Sequence, residues 1–180
     1  TSTAPGVVYL WTPSAGLNNA NIANPIASAA GQYKVRVTNN GGCFNEDSLV
    51  VTQVICVVNV SGTLFNDLNA LTDNNVNGSP ISNPSNTPVY ANLVDGSGNV
   101  VASTVITSNG TYQFPNVPAN STYTMVLSST PGTVGNPAPN TDLPGTWMNT
   151  GESPNNSTSD GNPNGIQTVV VGTSDVPNID

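Results

Sequence analysis

Apolar positions in this chain recur every second residue, the period of a half-buried strand. In Gln32-Tyr-Lys-Val-Arg-Val-Thr38 the residues Tyr33, Val35 and Val37 point one way, and Lys34 and Arg36 the other. Val7 to Pro13 reads as a strand ended by proline, Ser14 to Ala30 as a loop, Asn39 to Gly42 as a turn, and Asp47 to Val54 as a further strand. From Val60 to Val117 the order is strand, polar loop, strand, tight turn, strand, turn, strand. Val89 to Asp95 forms one of these strands, and Tyr112 and Phe114 alternate with Thr111 and Gln113 in another. The pattern predicts an all-β protein of two tandem antiparallel β-sandwich domains, 1–56 and 57–180. Three or four strands fit before residue 56, fewer than the seven of an immunoglobulin-type sandwich.

Composition sharpens this. Only 7% of the 180 residues are charged, against about 25% in ordinary domains. The 17 glycines and 15 prolines sit between the alternating runs, so they are turn chemistry rather than low complexity. The net charge is −8, and its distribution matters more than its size. Lys34 and Arg36 are balanced by Glu46 and Asp47. From Val57 onward come Asp67, Asp73, Asp95, Asp142, Glu152, Asp160, Asp175 and Asp180, with no Lys, Arg or His. Such a domain repels itself unless its acids are well solvated or bound cations supply the missing charge. Two cations make no footprint for nucleic acid, and no apolar run has the length of a membrane helix. Without His there is no His-based triad or His metal site. Glu152 and Asp160 lie in a Gly/Pro/Asn loop rather than the cleft that a glycosidase couple needs. The reading is therefore non-enzymatic.

Tyr9-Leu-Trp11-Thr-Pro13, the Gly16-Leu17 loop, Asn21-Ile-Ala-Asn24-Pro25, Gly31-Gln-Tyr33 and Asn40-Gly-Gly-Cys43 resemble the PKD-like, immunoglobulin-like repeats of surface proteins of Bacteroidetes-type bacteria. Strands that precede the Trp strand in that family are missing here. The first domain is thus expected to be incomplete, and the run Ser174 to Asp180 reads as a strand stopped partway. Ser61-Gly-Thr-Leu-Phe65-Asn-Asp67-Leu-Asn69, Leu93-Val-Asp95-Gly-Ser-Gly98, Asn109-Gly-Thr-Tyr112-Gln-Phe114 and Gly151-Glu with Asp160 to Gly165 resemble the B-type, prealbumin-like repeats of staphylococcal serine-aspartate adhesins. That resemblance implies extracellular stalk repeats, often calcium-stabilised. The Lys–Asn cross-link of the related collagen-adhesin B domains is excluded, because residues 57–180 contain no Lys.

Calcium takes six to eight oxygen ligands. Asp67, Asn69 and Asp73 offer three side-chain oxygens on one loop, and the resemblance adds Asp160 as the late contributor. The competing reading is a set of Asn/Asp turns bonding their own backbone. Cys43 and Cys56 are the only thiols. A strand of about 20 Å between them exceeds the roughly 7 Å that a disulfide bridges between Cα atoms, so Cys43 is expected to pair elsewhere, with Cys43–Cys56 as the lesser option. Trp11 reads as a core indole. Trp147, among turn residues, is a candidate for sugar stacking or for packing between domains. Ser48, in Asp47-Ser48-Leu49, matches a short O-glycosylation motif of Bacteroidetes-type secreted proteins. N-glycosylation sequons begin at Asn59, Asn77, Asn109, Asn120, Asn155 and Asn156.

These features predict a structural repeat segment of a secreted or cell-surface adhesin or extracellular filament. It would be stiffened by Ca2+, with partners in neighbouring repeats or identical subunits that complete its sheet by strand addition. The alternative is a carbohydrate-binding module of a secreted enzyme, with surface glycans as ligands.

Overall fold

Strand hairpins with glycine- and asparagine-rich turns dictate an all-β chain, and the computed structural model contains no helix among its described residues, 6–70, 72–81, 87–154 and 158–180. The chain divides into two units, Thr1–Val54 and Ile55–Asp180.

The first unit is a three-stranded antiparallel sheet of β1 (Val8–Thr12), β2 (Gly31–Thr38) and β3 (Phe44–Val51), in that order. β3 begins three residues earlier than the sequence suggests and stops at Val51 rather than Val54. The cause is the turn: Gly42 N–H bonds the Asn39 carbonyl and Asn39 N–H the Cys43 carbonyl, so pairing with β2 starts at once with Thr38 opposite Phe44. Trp11 and Tyr33 are buried on one face under the loop after β1. The Trp11 indole N–H donates to the Ile22 carbonyl at 3.0 Å, and the Tyr33 hydroxyl to the Ala29 carbonyl at 3.0 Å. The opposite face carries Lys34 and Arg36, as alternation predicts. Lys34 pairs with Glu46 at 2.6 Å, and Arg36 lies 3.6 Å over the Phe44 ring.

The second unit is a sandwich. One layer is the four-stranded sheet β11 (Ile166–Val171), β10 (Ser121–Ser128), β7 (Tyr90–Val94) and β8 (Val100–Val105), in that order. The facing layer pairs β4 (Val57–Thr63) with β9 (Thr111–Pro118), and the short pair β5 (Phe65–Asn66) and β6 (Ser79–Pro80) lies between these two in sequence. Alternating side chains from both layers meet in one core that includes Val60, Leu93, Phe114, Met125 and Val169. Burial of this kind contributes about 2 kcal/mol per large side chain. The Tyr112 and Phe114 rings touch edge to face at 5.7 Å.

Two features lock the sandwich. The C-terminal run lies parallel to β4 through a single bridge, Val60 with Val176, rather than as a full strand. Its backbone bonds run from Val176 to Asn59 and from Ile179 to Ser61. On the outer face of the four-stranded sheet, a loop is held by fully buried Asn92. Its Oδ1 accepts from the Gly132 N–H and the Ser103 hydroxyl, both at 2.7 Å, and its Nδ2 donates to the Val126 carbonyl at 3.2 Å. Replacing Asn92 with leucine strands these partners, at about 1–3 kcal/mol for each buried unsatisfied group. We expect urea unfolding to show a loss of about 3 kcal/mol for Asn92→Leu; a loss under about 0.5 kcal/mol would mean that the loop is not pinned there.

Candidate functional site

Acidic and amide side chains gather where three parts of the second unit approach each other: the loop residues 67–70 and 72–78, the loop residues 149–154 and 158–165, and the C-terminal run. The first two are joined as the resemblance implies, through the bridge of Asn75 with Thr158 and the Ser159 N–H bond to the Asn74 carbonyl at 3.2 Å. The expected calcium ligands are nevertheless engaged within their own turns. Asp67 Oδ1 accepts from the Asn69 N–H at 3.2 Å. Asp73 accepts from the Asn75 N–H at 3.0 Å and the Asn77 amide at 2.9 Å. The Asn77 amide, then the Asn75 amide, hold its carboxyl below the ordinary range. Asp160 Oδ1 accepts from the Asn162 N–H at 2.9 Å. Among the described residues, no group of three or more His, Cys, Asp or Glu converges as a metal shell. Asp67, Asp73 and Asp160 each accept a local backbone N–H in an Asx turn. Chelation is expected to move the melting temperature of the full chain by less than about 2 °C; a rise of many degrees with added calcium would require the loops to rearrange around the ion.

Glu152 behaves differently. The late loop folds its carboxylate inward, and the residue is 2% exposed. The Gly165 N–H donates to Oε1, and the Asp160 N–H bonds the Glu152 backbone carbonyl at 2.8 Å. Oε2 is buried without a hydrogen-bond partner. Burial pushes the Glu152 carboxyl up to about 7 against the pull of the Gly165 amide, and the Asp160 charge adds to the rise. The neighbouring Ser153 and Asp180 exchange backbone bonds at 2.7 and 2.9 Å, which ties this loop to the C-terminal run. Asp180 in turn accepts the Thr63 N–H at 2.7 Å, and burial raises its carboxyl despite that bond. The Tyr112 hydroxyl donates to the Ile179 carbonyl, and burial, reinforced by the Asp180 charge, raises its ionisation well above the ordinary tyrosine range.

Glu152, Asp180, Leu64, Val76, Leu143 and Trp147 line a cavity of about 330 Å³. Trp147 is half-buried and packs against the sandwich core. Trp11 is the core indole expected of it. Cys43 and Cys56 are free, exposed thiols, and Ser48 is exposed on β3. The sequons at Asn155 and Asn156 lie outside the described residues.

Glu152 is the residue that sequence reasoning undervalued. A signal for it exists: it is the single glutamate after residue 57, where every other acid is an aspartate. Aspartate closes Asx turns on its own backbone; glutamate, one methylene longer, has no such local use.

A second feature lies in the first unit. β3 is a sheet edge, with seven of its eight residues exposed. No strand flanks its outer side among the described residues. The loop after β1 guards the other edge through the Trp11 N–H bond to the Ala20 carbonyl.

No family model matches this chain, and no curated protein matches it. Two solved structures similar to it are of the major pilin subunit BcpA of Bacillus cereus. One is a variant, at 15% identity and a TM-score of 0.39, covering 84% of this chain and 38% of the pilin. The other, BcpA itself, is at 14% identity and a TM-score of 0.37, covering 84% of this chain and 39% of the pilin. The chain thus spans well under half the length of these pilin chains.

Proposed function

We propose that this chain is a non-enzymatic structural segment of an extracellular surface protein or filament, whose first unit is completed by a strand or sheet from a neighbouring repeat or an identical subunit. The observation that carries the reading is the bare β3 edge, beside a sheet face on which apolar side chains stand exposed among Lys34, Arg36 and Glu46. On the side of the sheet away from Trp11, Val8 is 64% and Val50 67% exposed, with Leu10 and Phe44 also exposed. Open edges of this kind template strand addition. The low charge, the abundance of turns and the lack of His fit a durable spacer rather than a catalyst.

Sedimentation and electron microscopy of the purified chain test this. Association or fibre growth with rising concentration is the expected result. Val8→Lys with Val50→Lys is expected to weaken it at least tenfold, with little effect on fold stability because both side chains are exposed. A chain that stays monomeric at all concentrations, with full amide protection along β3, would remove the proposal.

A further inference from the structure

We infer that the cavity around Glu152 binds a primary alkylammonium group, the charged end of a lysine side chain or of a free aliphatic amine, with its aliphatic stem along Leu64, Leu143 and Trp147. The inference is independent of the filament reading, since it uses only the second unit.

Three observations carry it. First, Glu152 lines the cavity, and its Oε2 is buried without a hydrogen-bond partner. Native proteins rarely leave a buried acceptor unmet, and a carboxylate oxygen is the costliest kind to leave. Second, the charge that would satisfy it cannot come from the unit itself. Residues 57–180 hold no Lys, Arg or His, while Asp180 and Asp67 line the same cavity as Glu152. A neutral ligand leaves this imbalance in place and an anion worsens it. Third, the apolar part of the wall, Leu64, Val76, Leu127 and Leu143, carries an indole, which attracts a cation over its face.

Shape and donor count select among cations. Calcium needs six to eight oxygens, and among the described residues no three acids close into a metal shell. A guanidinium is best held by two parallel bonds to one carboxylate, but Oε1 is already engaged by Gly165. One open oxygen suits the point charge of an ammonium. At about 330 Å³ the cavity lies at the small end of ligand sites, the size for a single aliphatic chain.

The test is an NMR titration of the full chain at pH 8, read at the Trp147 indole N–H and the Gly165 amide. The probes are cadaverine, N-acetyl-lysine amide and, as the uncharged control, 1-pentanol. Saturable shifts with an amine and none with the alcohol are expected. Glu152→Gln, which keeps an oxygen for the Gly165 amide, is expected to weaken amine binding at least tenfold. Asp95→Asn, in a turn away from the cavity, is expected to leave it unchanged. Binding of both amines assigns the site to protein-borne lysine; binding of cadaverine alone assigns it to a free amine. Equal binding of pentanol, wild-type affinity in Glu152→Gln, or no saturable shift would overturn the assignment and leave a solvent-filled cavity. The amine-against-alcohol comparison on unaltered protein decides the matter even if the variant does not fold.

Discussion

Replacing Gly62 with alanine is expected to cost the second unit about 3 kcal/mol, the upper end for inserting a methyl into a close-packed site. Gly62 is buried on β4, under the C-terminal run. A Cβ at this position would overlap the Ile179 carbonyl and stand 2.6 Å from the Tyr112 hydroxyl. The clash is with backbone, so no rotamer relieves it. The terminal run must lift, and the Tyr112–Ile179 hydrogen bond and the bonds from Ile179 to Ser61 and from Thr63 to Asp180 go with it. Thermal melting followed by near-ultraviolet tyrosine signal should fall by on the order of 10 °C. Tyr112→Phe removes only the hydroxyl and is expected to cost about 1–2 kcal/mol. The two changes share one bond, so the double variant should lose less than the sum of the singles. Gly62→Ala with native stability would mean that the C-terminal run is not seated on β4.

That seat shows where sequence reasoning reaches and where it stops. The strands around Tyr33, Leu93 and Tyr112 were legible because each buries one face, and burial writes a period of two into the sequence. β3 was misplaced because it buries almost nothing. Asn45, Glu46 and Asp47 give no apolar period, and only the tight turn at Asn39–Gly42 sets the register. Ser174 to Asp180 was legible as extended chain, but its parallel seat beside β4 depends on a glycine 117 residues from Ile179. The early and late acidic loops do meet, whereas their carboxylates turn back onto local N–H groups, a choice made by loop geometry and not by residue type. Glu152 was hidden for a related reason. Its surroundings in sequence are glycine, proline and asparagine, all marks of a solvated loop. Its burial arises only when Gly165 closes over the carboxylate and the C-terminal run pairs with Ser153.

The same burial makes stability depend on pH. The second unit is expected to lose stability as pH rises from about 4.5 to 8, and Glu152→Gln is expected to remove much of that loss. The Glu152 carboxyl titrates near 4.5 when unfolded and at about 7 when folded. Between those values the folded state holds the proton more tightly, so its contribution is fully present below 4.5 and is lost as pH climbs through 7. The loss is on the order of 2 kcal/mol. The groups facing the carboxyl set the sign: Asp160 adds negative charge, and the Gly165 and Asn164 amides pull the other way without overcoming burial. Asp180, also raised by burial, acts in the same direction from a lower starting pH. Asp73 and Asp175 are lowered by their asparagine partners, so their effect is confined to acid below the ordinary carboxylate range. General repulsion among the acids is common to both proteins, so the decisive quantity is the difference between wild type and Glu152→Gln in urea unfolding. That difference should shift by about 2 kcal/mol in favour of the variant between pH 4.5 and 8. Parallel pH curves would place the carboxylate in water, and with it would go the argument that its outer oxygen lacks a partner.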